Sequence, residues 1–396
     1  MNIKRICIGV FFSTTLYIQA QPNTDVYVFD LNIKNNKVEL SNPKNISNND
    51  GYDNQPSFLN DTSVLFSSTR SDQTDIRLFN IEAGSISSWI SDTPTGSEYS
   101  PLKIPNKNAV SAIRLDLDGL QRLYQYDIKT GNSKPILKNQ KVGYHVWYNE
   151  HILVTTVLIE NRMDLVVSNL KDKTNYTFQK NVGRSLSKIP NTDLVSFISK
   201  EENSWQIKSL NPITGAIKNI VNTYGKSEDI CWLKDGSILT GDGKSILRIN
   251  PNSDVQWEQI QYFKEDEINN ITRIAISENS KRLAFVAEES PAKIVQKQLD
   301  AYNARDIDAF MATYTDNITL INFPNKELFQ GQQKMRASYA SYFDATPDLN
   351  CEIKNRIVIG NKVIDEEYIT ANGQNFSAVA IYEVENGKIA KVTFIQ

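Results

Sequence analysis

The residues best suited to chemistry lie late in the chain, in the run Val363-Ile-Asp-Glu-Glu-Tyr-Ile-Thr370. Alternation along a strand puts Asp365 and Glu367 on one face, and Glu366 and Tyr368 on the other. If the first pair faces a closed interior, burial raises both carboxyl pKa values and creates an acid–base candidate. If it faces water, it is an ordinary charged sheet surface, and alternation alone leaves both readings open. Tyr314, Tyr342 and Tyr382 can donate hydroxyl hydrogens into such an interior or serve as aromatic core. Other chemistries find little support. The two histidines, His145 and His151, fall on alternating strand faces and make no shared metal site. No Asp-x-Asp-x-Asp-Gly calcium loop occurs, and no Gly-x-Ser-x-Gly nucleophile elbow. We therefore expect no metal and no cofactor.

The elements that must position these side chains begin after Ala287, where the periodicity changes from strand-like to helical. Ser290 can cap a helix and Pro291 suits its first position. Ile294, Val295, Leu299 and Tyr302 share one face of it. Asp306 starts a second helix with Ile307, Phe310 and Met311 inward. A strand over 318–323 follows, then a third helix over 332–343. Four strands close the chain, at 349–359, 362–370, 374–383 and 388–395. Helices followed by an antiparallel meander predict an α+β domain.

The runs Tyr302-Asn-Ala-Arg-Asp-Ile-Asp-Ala-Phe310, Tyr314-Thr-Asp-Asn-Ile-Thr-Leu320, Gln330-Gly331 and Tyr382-Glu-Val-Glu-Asn-Gly-Lys-Ile-Ala-Lys-Val392 resemble the superfamily of nuclear transport factor 2, ketosteroid isomerase and SnoaL-like proteins. The resemblance spans residues 291 to 396. It implies a cone-shaped (NTF2-like, cystatin-like) fold around an apolar pocket that would be lined by Gln298, Tyr302, Tyr314, Asn322, Tyr342 and Tyr382. Some relatives are isomerases, cyclases or epoxide hydrolases. Ketosteroid isomerase chemistry uses a carboxylate base with a tyrosine and a protonated acid. The corresponding positions here are Asn322 for the base, Gln298 for the tyrosine and Ala380 for the acid. An asparagine amide cannot take a proton at neutral pH, so that chemistry is not expected. Asp365 and Glu367 remain the catalytic candidates.

Before Ala287 one strand-like pattern recurs six times, each copy ending in Asp or Asn. The copies end at Asp30, Asp127, Asn80, Asn169, Asn211 and Asn250. Strand–turn–strand units precede five of them, the best being Gln55-Pro-Ser-Phe58, Asn60-Asp61, Val64-Leu-Phe-Ser-Ser68. A repeat of roughly 40–50 residues predicts stacked blades. The first copy has no strand pair before it, and the last pair, over 272–287, has no third strand after it. The N-terminus is therefore expected to complete the last blade and remove the open edges. The best copy resembles the repeat of TolB-type six-bladed propellers, over about residues 25 to 288. That resemblance implies an exported binding platform. The expected fold is an all-β six-bladed propeller over 21–289 followed by the cone domain over 290–396. Ends of the innermost strands would form a polar channel mouth that includes Gln55, Glu98, Tyr99, Tyr144, His145, Arg184, Glu228 and Asp229.

Lys4 and Arg5, an apolar run from Ile6 to about Ile18, and Ala20 read as a secretory signal peptide over 1–20. The chain is expected to be exported, periplasmic or secreted, and soluble after cleavage. Two cysteines then remain, Cys231 and Cys351, each a small buried hydrophobe rather than half of a required disulfide. A net charge of −3 without charge blocks argues against nucleic acid. The leading functional expectation is a binding protein. Its propeller would engage an envelope protein or a glycan, and its cone domain would hold a small apolar molecule or form a homodimer. An enzyme using Asp365 or Glu367, and an envelope assembly factor working through the propeller, are the alternatives.

Overall fold

A computed structural model describes residues 23–395 apart from 35–36, 50, 72, 84–86 and 265–267. The expected signal peptide lies outside these residues. Among the described residues, six four-stranded antiparallel sheets precede one six-stranded sheet. Five of the smaller sheets take their strands consecutively from 53–89, 96–137, 142–179, 182–222 and 230–262. The sixth sheet runs from the outside inwards as Lys37–Asn45, Thr24–Lys34, Arg282–Glu288 and Asn269–Ile276. Val26 lies opposite Val286, so the N-terminal strands do complete the last blade.

The recurrent Asp or Asn has a local physical role. Asn80 Oδ1 accepts the amides of Glu82 and Ala83 at 3.0 and 3.1 Å. Asp127 does the same for Lys129 and Thr130, Asn169 for Lys171 and Asp172, and Asn211 for Ile213 and Thr214. A short side-chain carbonyl two residues ahead of a turn amide mimics a backbone acceptor, which is why these residue types recur at the strand ends. Asp30 is the exception. Its strand continues to Lys34, and its carboxylate binds Arg282 instead.

Between blades the core is a series of separate apolar clusters. One packs Val64, Phe66 and Phe79 against Val26 and Val286. Another packs Val154, Leu165 and Val167 against Val182, Val195 and Phe197. Alternate strand residues enter these layers and exclude water, the main stabilising term.

The C-terminal part begins with the helix Pro291–Ala304, where the Ser290 hydroxyl accepts the Ala292 amide. Asp306 caps the helix Ile307–Ala312, and a third helix runs Gln332–Ala345. The sheet order is Lys326–Gln330, Tyr314–Asn322, Lys388–Ile395, Gln374–Glu385, Lys362–Ala371, Asn350–Ile359. Tyr314–Asn322 and Lys388–Ile395 pair in parallel. The strand at 326–330 escapes sequence reading because it is a short, mostly exposed edge with no buried face to impose alternation. Val295, Phe310, Met335, Phe343, Val363 and Val392 fill the space between helices and sheet. Cys231 and Cys351 are buried free thiols. No helix among the described residues is long and apolar enough to cross a membrane.

Candidate functional site

Helices and curved sheet of the C-terminal part enclose a cavity of about 370 Å³. The strand Lys362–Ala371 supplies Glu367, and its neighbour Gln374–Glu385 supplies Phe376, Ala378 and Tyr382. The first helix contributes Gln298, Leu299 and Tyr302, and the third contributes Ser338, Tyr339 and Tyr342. Gln298, Tyr302, Tyr314, Asn322, Tyr342 and Tyr382 thus line one cavity together with Glu367.

Asp365 and Glu367 both face inward, at 1% and 5% exposure, while Glu366 and Tyr368 face out. Their surroundings then separate them. The guanidinium of Arg356 donates to both Asp365 oxygens at 2.7 Å, and its remaining arm donates to Gln296 at 2.9 Å. This bidentate pair engages both Asp365 oxygens, and Asp365 does not line the cavity. Of the two candidates, Asp365 thus faces inward but is engaged by Arg356 outside the cavity wall.

Among the described residues no ion pair is formed by Glu367, and Arg356 acts on it only from a distance. Tyr382 donates its hydroxyl hydrogen to Oε1 at 2.8 Å, and the other oxygen has no hydrogen-bond partner among the described residues. Burial pushes the Glu367 carboxyl up to about 7; the Tyr382 hydrogen bond pulls the other way but does not outweigh it. Ala378 and Ala380 stand opposite Glu367 and Asp365 on the neighbouring strand. Their small side chains leave the room that the acids occupy.

Gln298 is the second polar group of note. It is 6% exposed, lines the cavity beside the Tyr314 hydroxyl, and its Oε1 has no hydrogen-bond partner among the described residues. Burial raises the Tyr314 and Tyr382 hydroxyls well above their ordinary values, so both stay protonated donors. Sequence reasoning missed Tyr339, Ser338 and Ile369 in the wall, and missed Arg356 as the partner of Asp365. Tyr339 was detectable as the residue three before Tyr342 on one helix face. Arg356 was not, because its pairing depends on a register irregularity between Ile353 and Asn355.

The propeller carries a second opening, about 570 Å³, at one end of its channel. Gln55, Tyr99, Tyr144, Arg184 and Glu228 line it, together with Tyr52, Lys200 and Arg273. Asp229 lies just behind, where Arg184 Nε donates to it at 3.0 Å. Burial alone would raise its pKa, but Arg273 and Arg184 hold it below the usual carboxylate range. Two residues expected at the mouth lie inside blades instead. Glu98 is fully buried, accepts the Tyr126 hydroxyl at 2.7 Å, and is pushed by burial up to about 7. His145 is buried with Nε2 2.7 Å from the Ser111 hydroxyl, which also accepts the Trp147 indole at 2.9 Å. Burial drives His145 down to about 3, so it is neutral. Among the described residues no group of His, Cys, Asp or Glu could hold a metal ion.

Residues 295–392 match the SnoaL-like domain family. No curated protein matches the chain. A cystatin-fold protein from Novosphingobium aromaticivorans is 26% identical over 27% of this chain and 97% of its own, with a TM-score of 0.26. A LEH-like epoxide hydrolase from M. tuberculosis is 16% identical over 26% of this chain and 80% of its own, with a TM-score of 0.24. A protein assigned as TolB from Agrobacterium tumefaciens covers 68% of this chain and 99% of its own at 11% identity, with a TM-score of 0.51, a likeness of fold. The chain therefore carries a SnoaL-like (NTF2-like) domain at residues 295–392, preceded by a propeller of TolB-like fold.

Proposed function

We propose that the C-terminal domain takes up a small, largely apolar molecule that offers an O–H or N–H group to its walls. The observation that carries this reading is Gln298 Oε1, an acceptor without a partner among the described residues, in a cavity whose wall includes Leu299, Phe329, Ile369, Phe376 and Phe394 beside its polar groups. A buried amide oxygen left without a donor costs about 1–3 kcal/mol, which a ligand donor recovers. The apolar walls supply non-directional affinity and the polar groups supply orientation. In this reading the propeller is a docking platform for a protein or glycan, and residues 1–20 direct the chain out of the cytoplasm.

One observation favours a second, catalytic reading of the same cavity. Glu367 sits near pH 7 with one oxygen held by Tyr382, the condition for a group that both takes and gives a proton at neutral pH. Proton transfer to or from the bound molecule by Glu367 needs no further cofactor.

The test is organic extraction and mass spectrometry of the purified full-length protein, followed by rebinding of what is released. Wild type should carry or rebind a small apolar compound. Gln298→Leu should weaken rebinding by about tenfold through loss of one buried hydrogen bond. Ala378→Phe, which fills the cavity from its sheet side, should abolish it. Rebinding unchanged in both variants rejects the cavity as the site. Conversion of the compound by wild type but not by Glu367→Gln selects the catalytic reading over simple carriage.

A further inference from the structure

The channel mouth contains a strained arginine. Arg273 has φ of 47° in an innermost strand whose register breaks between Thr272 and Ala275. A left-handed conformation at such a residue costs on the order of 1–3 kcal/mol. From there its side chain crosses the channel to the blade on the far side. Nη2 donates to the Tyr144 hydroxyl at 3.2 Å, and the guanidinium lies 5.2 Å from that ring's centre.

The charges around it do not cancel. Asp229 is the one carboxylate that serves both Arg184 and Arg273, and Nη1 of Arg273 stands 3.6 Å from it, beyond a good hydrogen bond. Glu228 is paired with Lys200 and also faces Arg184 at 3.9 Å. Arg184, Arg273 and Lys200 against Asp229 and Glu228 leave one net positive charge within this cluster. A guanidinium carries five N–H donors, and Tyr144 takes only one of those on Arg273. One side of the mouth is apolar, formed by Leu115, Leu158 and Met163.

We propose that this mouth binds a small monocarboxylate, with the carboxylate on Arg273 and a short apolar tail against Leu115, Leu158 and Met163. A guanidinium fork matches a carboxylate in geometry as well as charge. The single surplus charge suits a monoanion, because Glu228 and Asp229 stand beside the site and repel a second negative charge.

The test is calorimetric titration of the full-length protein with sodium hexanoate, hexanamide and hexyl phosphate. Hexanoate should bind at one site about tenfold more tightly than hexanamide, and more weakly as salt rises from about 50 to about 500 mM. Arg273→Gln should lose about tenfold in hexanoate affinity. Should that variant unfold, Gln55→Glu serves in its place. Gln55 Oε1 accepts from the Ser67 hydroxyl and the Ser100 amide, and glutamate keeps both bonds while adding a negative charge to the mouth. It should weaken hexanoate about fivefold. Gln298→Leu, which acts on the C-terminal cavity, separates hexanoate bound there from hexanoate bound at the mouth. Absence of hexanoate binding, equal binding of the amide, tighter binding of the phosphate, or loss in Gln298→Leu alone overturns the proposal.

Discussion

Tyr382 donates its hydroxyl hydrogen to Glu367 across 2.8 Å, from the neighbouring strand and inside the same cavity. That bond stabilises the carboxylate, yet burial still holds Glu367 near pH 7. The pair therefore sets the protonation state of the cavity at neutral pH.

Carboxyl-detected NMR should show two glutamates titrating near pH 7 in the full-length protein, Glu98 and Glu367, one of which disappears in Glu367→Gln. Tyr382→Phe should move that titration upward, because only the charged form gains from the lost bond. A titration near pH 4.5 in wild type would place Glu367 in water.

Stability should fall as pH rises from weakly acidic to weakly alkaline values. Asp53, Glu98 and Glu367 are each raised by burial to about 7. For each, stability is fully present below the unfolded pKa of about 4 and is lost as pH climbs through about 7, roughly 3 kcal/mol per group. His145 acts in the opposite direction over its own window. Its stabilising effect is present above the unfolded pKa and is lost as pH falls from about 6.5 towards about 3. Three acids outweigh one histidine, so thermal melts should give a higher Tm at about pH 5.5 than at about pH 8. A flat profile contradicts the burial of the acids.

Arg356→Met should destabilise the C-terminal domain by about 3–5 kcal/mol, because it strands the Asp365 charge in the interior. The double variant Arg356→Met with Asp365→Val should recover most of that loss in urea unfolding. A single-variant cost below about 1 kcal/mol would mean the pair is solvated.

Asn211→Ala removes the side-chain acceptor for the Ile213 and Thr214 amides. These amides can turn to water, so the expected cost is about 1 kcal/mol. Asn211→Asp, which keeps the acceptor, should restore the wild-type unfolding midpoint.

The propeller was legible because its signal is local and repeated. Each strand end needs an acceptor for its turn amides, and Asn80, Asp127, Asn169 and Asn211 record that need in residue type. The inward face of Asp365 and Glu367 was legible only as an alternative, since alternation gives two faces without naming the buried one. Which of the two acids keeps a free oxygen depends on Arg356, nine residues away across a bulged pair. The mouth misled for a related reason. Glu98 and His145 sit beside true channel residues in sequence, but a one-residue step along a strand turns a side chain from channel to blade interior. Arg273 escaped notice because nothing local marks a residue that reaches across a ring.

Val26 finds its partner at Val286, the last blade strand before the C-terminal helices. A chain made or translocated from its N-terminus can pair its first strand with the next one, Lys37–Asn45, but must keep the inner edge of that strand open until nearly the whole propeller has emerged. The clasp also works in reverse. Peeling away residues 24–34 exposes the inner strands of that blade and unfastens the ring at the point where the SnoaL-like domain is attached, so the two ends of the propeller are secured, or lost, together.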